Sequence, residues 1–128
     1  MVEDRTTHGK RIAQLLASEL SGRDRGPLAA VSVVDADPDA QPAEGGVVAY
    51  GVAVDGTRIG SVWLYPEAAE CELDLAGADA VREAVRGADL TVVQPDPAAE
   101  TEVTVRIESG AAVKRAVDAL VAGIEATD

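Results

Sequence analysis

"VVAYGVAVDGTRIGSVWLYP", residues 47–66, holds two β-rich runs joined by Asp55-Gly56. That dipeptide suits a two-residue type I′ turn, which needs positive φ at both central positions. Under strict strand alternation the turn pairs Val54 with Thr57, Val52 with Ile59, Tyr50 with Ser61 and Val48 with Trp63, all on one face. This face is predicted to be core, with Trp63 packed on Val48 rather than serving as a ligand platform. The opposite face receives Ala49, Gly51, Ala53, Arg58, Gly60, Val62 and Leu64, with Gly51 directly across from Gly60. Its small residues leave a shallow surface that a helix or another backbone could approach. Pro66 ends the second strand, because it lacks the donor that the ladder needs.

Upstream of the hairpin, "KRIAQLLASEL" (residues 10–20) sets Ile12, Leu15, Leu16 and Leu20 on one helical face, with Gly22 as a stop. "PLAAVSVVDA" (27–36) reads as a buried strand through Val31, Val33 and Val34. Downstream, "ECELDL" (70–75) alternates Cys71, Leu73 and Leu75 against Glu70, Glu72 and Asp74, the pattern of a half-buried strand. A short helix follows through Val81 and Val85 to Gly87, then a strand in "DLTVVQ". "TEVTVRIES" (101–109) alternates Val103, Val105 and Ile107 against Thr104, Arg106 and Glu108. Ser109 is placed to cap a last helix carrying Val113, Val117, Leu120, Val121 and Ile124 at helical spacing.

The order is α-β-β-β-β-α-β-β-α. Sequential strands joined by hairpin-length links predict an α+β fold: a largely antiparallel sheet with N- and C-terminal helices and a short internal helix packed on one face. The 128 residues fit one domain spanning 1–128, with 1–8 frayed, an acidic loop at 35–46 and a second loop at 94–101.

Charge bounds the function. The chain carries 23 acidic and 11 basic residues for a net charge of −12, and its only lysines are Lys10 and Lys114. Two surface carboxylates about 6 Å apart repel by roughly 0.7 kcal/mol in dilute buffer. In about 1 M salt the Debye length contracts to about 3 Å and most of that cost disappears. Salt also strengthens apolar association, which suits a chain with no Phe and a core of Val, Leu, Ile and Ala. The composition resembles that of proteins from salt-accumulating halophiles, where excess charge preserves solubility. An acidic protein of a mesophile with a GC-rich genome is the plainer alternative. Phosphate backbones need clustered Lys and Arg, and "GKR" at Lys10 and "GRDRG" around Arg23 are both diluted by acid, so nucleic acid is not an expected partner. Neither terminal helix has the basic stripe of a membrane-surface helix, and charges and glycines break every apolar run, so no membrane partner is expected either. With one cysteine and no signal-like apolar run, the expected compartment is the cytoplasm.

Chemical motifs are sparse. There is no Gly-rich phosphate loop, no paired-cysteine zinc spacing and no GxSxG elbow, so no cofactor, metal or catalytic residue is assigned. His8 and Cys71 are the sole candidates for a Cys-His nucleophile pair, but Cys71 lies on the apolar side of its strand, where an inert buried thiol is expected. Glu70, Glu72 and Asp74 share a strand face, as paired acid and base groups must, yet carboxylates crowd the whole chain and the face reads as solvent-exposed. Asp35, Asp37 and Asp39 match the first, third and fifth ligands of an EF-hand loop. The match then stops, because Ala40 stands where the sharp turn needs Gly and Gly46 where a bidentate Glu belongs. Pro38 and Pro42 stiffen the stretch, which is therefore expected to be a solvated linker.

The expected function is that of a small non-enzymatic binding or interaction protein adapted to high salt. It is expected to be a homodimer using the Gly51/Gly60 face or an exposed helix. The alternative is a small enzyme whose pocket, collecting Cys71, His8, Arg58 or the Glu70 face, assembles only in the fold.

Overall fold

In a computed structural model, residues 8–21, 30–87, 90–93 and 101–126 are described. Residues 1–7 of the start expected to be frayed (1–8), the Gly22 stop, the "GRDRG" cluster and residues 94–100 of the second loop lie outside them. The chain runs α1 (Gly9–Ser21), β1 (Val31–Val34), β2 (Val47–Val54), β3 (Thr57–Tyr65), β4 (Ala68–Asp74), α2 (Ala78–Gly87), β5 (Thr91–Val93), β6 (Glu102–Ile107) and α3 (Val113–Glu125). This is the predicted order. The six strands form one antiparallel sheet in the order β1-β2-β3-β4-β6-β5. After β4 the chain crosses through α2 to the far edge and returns as β6, inserted between β4 and β5. The fold is α+β, with the helices on one face: α1 over β1, β3 and β4, α3 beside it, and α2 over β5 and β6.

Side-chain period explains which surfaces meet. On α1, Ile12, Ala13, Leu16 and Leu20 are buried. On α3 the buried set is Val113, Ala116, Val117, Ala119, Leu120 and Gly123, while Val121 and Ile124 sit half-buried at the margin. Beneath them lie Cys71, Leu73, Val103, Val105 and Ile107, the alternate positions of β4 and β6 that the sequence marks as apolar. Each such aliphatic side chain contributes about 1.5–3 kcal/mol by leaving water, which is how a core without Phe is assembled.

The hairpin departs from strict alternation in its middle. Asp55 and Gly56 have φ of 51° and 82°, positive values that belong to the predicted turn. Past Ala53–Arg58, however, Ile59 is an extra residue in β3, so Val52 meets Gly60 and Gly51 meets Ser61. Ala49 is then an extra residue in β2, placed between the pairs Tyr50–Val62 and Val48–Trp63. The two bulges cancel, so the outermost pairs are as predicted, while the predicted Val52–Ile59, Tyr50–Ser61 and Gly51–Gly60 pairs are not formed. Because each bulge reverses which way the next residue points, the two faces are exchanged along β3. Val62 and Leu64 are buried against the helices, and Ser61, Trp63 and Tyr65 occupy the other face, half exposed. The expectation that Trp63 belongs to the core is thus corrected.

Two contacts seat α1. Tyr50, the one aromatic in the core, donates its hydroxyl to the Ala13 carbonyl at 2.7 Å. Burial, with Cys71 nearby, holds the phenol protonated well above its ordinary range. At the other end Gly9 donates its amide to the Pro66 carbonyl at 3.3 Å, where an added Cβ would lie 1.9 Å from the Tyr65 carbonyl oxygen. Only glycine lets the helix start this close to the β3–β4 turn. The predicted cap is different in detail: Ser109 precedes a 3-10 turn (Gly110–Ala112) that leads into α3, and its side chain makes no capping hydrogen bond.

Candidate interaction surface on the open sheet face

No described helix covers the second face of the sheet. The antiparallel registers place side chains there in rows: Val48, Trp63, Glu70, Arg106 and Thr91 form one row, and Val34, Gly51, Ser61, Glu72, Thr104 and Val93 the next. Trp63 stands near the middle, beside a depression of about 310 Å³ bordered by Tyr65, Glu70, Glu72, Val93 and Thr104.

Arg106 organises one end. Its Nη1 donates to Glu70 Oε2 at 2.8 Å and its Nε to Glu108 Oε2 at 3.0 Å, while the guanidinium carbon lies 5.6 Å from the centre of the Tyr65 ring. Hydrogen bonding to Glu108 above all, and to Glu70, holds the guanidinium charged more firmly than usual. Glu70 has a side chain only 13% exposed, so the pair is shielded and stronger than an ordinary surface pair. Partial burial, the Glu70 charge and a hydrogen bond to Glu70 raise the Tyr65 phenol. Gly46, at φ +86°, passes so close to this ring that a Cβ would sit 2.8 Å from its edge. A left-handed backbone and a ring in contact leave room for glycine alone.

Arg58 organises the other end. Its Nη1 pairs with Asp35 Oδ2 at 3.0 Å and its Nη2 donates to Ser61 Oγ at 2.8 Å. Its guanidinium lies flat over Gly51, where a Cβ would stand 2.7 Å from it. The small-residue surface predicted from Gly51 and Gly60 is therefore absent: Arg58 covers the first, and the second is pressed against the β4 backbone, with an added Cβ 2.1 Å from the Glu72 carbonyl oxygen.

The other predicted residues are placed as follows. Cys71 faces the helices, buried, and burial, with Glu72 secondary, pushes its thiol up to about 12. His8 is exposed on the residue before α1. Nucleophile and base thus sit in different settings, one dry and one in water. Glu72 and Asp74 are exposed, as read, but Glu70 is committed to Arg106. In the acidic loop Asp35 serves Arg58, and Asp37 folds the chain back by accepting the Asp39 amide on Oδ1 at 3.0 Å. The Asp37 amide donates to Ala49 at 2.8 Å, Ala40 is buried, and Lys10 Nζ donates to the Pro38 carbonyl at 3.1 Å. The loop is solvated but ordered, more than a linker. Among the described residues no three His, Cys, Asp or Glu side chains converge into a group able to hold a metal ion, and no helix is long and apolar enough to cross a membrane.

Sequence reading missed Arg106 and Tyr65. Arg106 opposes Glu70 only once β6 is known to lie beside β4, a long-range pairing that local pattern does not carry.

A family model described as "Family of unknown function (DUF7993)" matches residues 1–128. No curated protein and no solved structure matches the chain.

Proposed function

The chain belongs to this family of unknown function, DUF7993, and we propose that it is a small non-enzymatic binding protein that pairs with a second copy of itself through the open sheet face around Trp63. The carrying observation is the position of Trp63, a large amphipathic side chain left half exposed in the middle of a face that also presents Val34, Val48 and Val93. Aromatic and Arg side chains are the types enriched at protein interfaces, and here Trp63 and Tyr65 lie between Arg58 and Arg106. A two-fold pairing is the commonest closed assembly, and it needs only one self-complementary patch. Trp63, Val34, Val48 and Val93 supply an apolar patch of that kind, while Arg58 and Arg106 are paired within their own chain at its two ends.

The charge of −12 fits a setting of concentrated salt. Two such copies repel in dilute buffer, and screening removes the repulsion while strengthening apolar contact. Association should therefore tighten as salt rises, the reverse of an interface driven by charge attraction. A cytoplasmic setting suits the single free, buried thiol. The chain acts on this reading as one domain.

Light scattering at about 3 M and about 0.2 M KCl tests the proposal. Wild type is expected as a dimer at high salt, shifting toward monomer at low salt, and Trp63→Glu as a folded monomer throughout. A monomeric wild type at high salt and high concentration, or a dimeric Trp63→Glu, refutes it.

A further inference from the structure

On the helix side of the sheet, opposite the Trp63 face, a cleft of about 320 Å³ opens between α1 and the stretch from Ala36 to Ala40. Its floor is apolar: Ala13 and Ala17 of α1, Val33 of β1, Ala49 and Tyr50 of β2, and Leu64 of β3. The bulge is what shapes it, because Ala49 and Tyr50, successive in the chain, both line it, one small and one large. The one polar atom of those six side chains, the Tyr50 hydroxyl, is already given to the Ala13 carbonyl. Whatever fills the floor therefore needs no hydrogen-bonding groups at that end.

Polar side chains occur at the mouth, where Lys10, Gln14 and Asp37 stand. An ammonium has three donors, and Lys10 spends one on the Pro38 carbonyl at 3.1 Å, which anchors it there. Asp37 also lines the mouth, with its Oδ1 accepting the Asp39 amide at 3.0 Å. The mouth thus offers an anchored cation with donors to spare, in a chain whose only other lysine is Lys114. We propose that this cleft binds a medium-chain monocarboxylate, with the tail on the apolar floor and the carboxylate on Lys10 Nζ. At about 320 Å³ the cleft falls at the small end of the range of small-molecule sites, which suits a ligand of medium chain length. Mostly apolar walls with a few placed polar groups are the usual construction of a small-molecule site. The proposal is independent of the dimer reading, since it uses the other side of the sheet.

Calorimetric titration of the full chain with hexanoate, heptanoate and octanoate, at the lowest KCl concentration that keeps it folded, is the test. Octanoate is expected to bind saturably at one site per chain, with affinity rising about fourfold per added methylene. Lys10→Met is expected to weaken octanoate about tenfold, and Ala17→Leu, which fills the cleft from a half-buried helix position, to abolish binding. Octylamine should bind more weakly than octanoate, and methyl NMR shifts should appear at Ala17 and Val33. Absence of saturable binding to the wild type overturns the proposal. So does affinity indifferent to Lys10→Met, tighter binding of octylamine, or shifts confined to Val48 and Val93.

Discussion

Substituting Leu64 and Ile59 by alanine, one at a time, tests the two bulges that set the faces of β3. Strict alternation from the Asp55-Gly56 turn puts Ile59 in the core and Leu64 opposite, whereas the structure buries Leu64 to 1% exposure and leaves Ile59 half-buried. Leu64→Ala removes three carbons from a site between α1 and the sheet. At about 0.8 kcal/mol per buried CH₂ that is about 2.4 kcal/mol of transfer free energy. A residual cavity raises the total to about 3 kcal/mol. The cost stays near the low end of the range because the adjoining cleft already gives the site partial access to solvent. Ile59→Ala loses a side chain that is wet on one side, and should cost about 1 kcal/mol. Urea unfolding followed by circular dichroism at one fixed KCl concentration measures both, provided the slope with denaturant is unchanged. Equal costs, or a larger cost for Ile59→Ala, would refute the bulged register.

Thermal melts from about 0.1 to 3 M KCl should rise steeply, since screening relieves the repulsion of a −12 chain; a flat profile refutes the high-salt reading. The folded Cys71 thiol keeps its proton to about 12 against an ordinary value of 9.0. Its contribution to stability is therefore complete below about pH 9 and is lost as pH rises toward 12, when the unfolded chain ionises first. Melts between pH 8 and 11 should show that decline in wild type and a shallower one in Cys71→Ala, and an unchanged slope would count against the buried thiol. Calorimetric titration with Ca²⁺ should give only weak heat that vanishes as KCl is added, because Asp35 and Asp37 are engaged with Arg58 and the Asp39 amide; a saturable micromolar site lost in Asp37→Ala would show a cation loop instead.

Much of the fold was legible because local period and punctuation agree with the tertiary structure. Asp55-Gly56 specified a turn, Pro66 a strand end, and the alternation of Cys71, Leu73 and Leu75 the buried side of β4. The faces of β3 were not legible for a physical reason. In Val62-Trp63-Leu64 every residue is apolar, so local pattern cannot choose a side, and the register counted from the turn without bulges put Trp63 in the core. Gly60 was the available hint, since a strand glycine often accompanies a bulge or a close backbone approach. Of the surface, Glu70 and Trp63 could be singled out, but the partner of Glu70, Arg106, lies 36 residues from it and meets it through the β4–β6 pairing. The acidic loop was legible as a loop, but not its attachment through Ala40 and the Asp37 amide, which depends on where β2 and α1 lie.

The most direct measurement of the central claim is an isotope-filtered NOE experiment on a mixture of labelled and unlabelled chains in concentrated KCl. Pairing through the open face predicts intermolecular contacts from the Trp63 indole protons to methyl groups of Val34, Val48 or Val93 in the partner. Contacts arising instead from α1 or α3, or an empty filtered spectrum under conditions where scattering gives dimer mass, would contradict it.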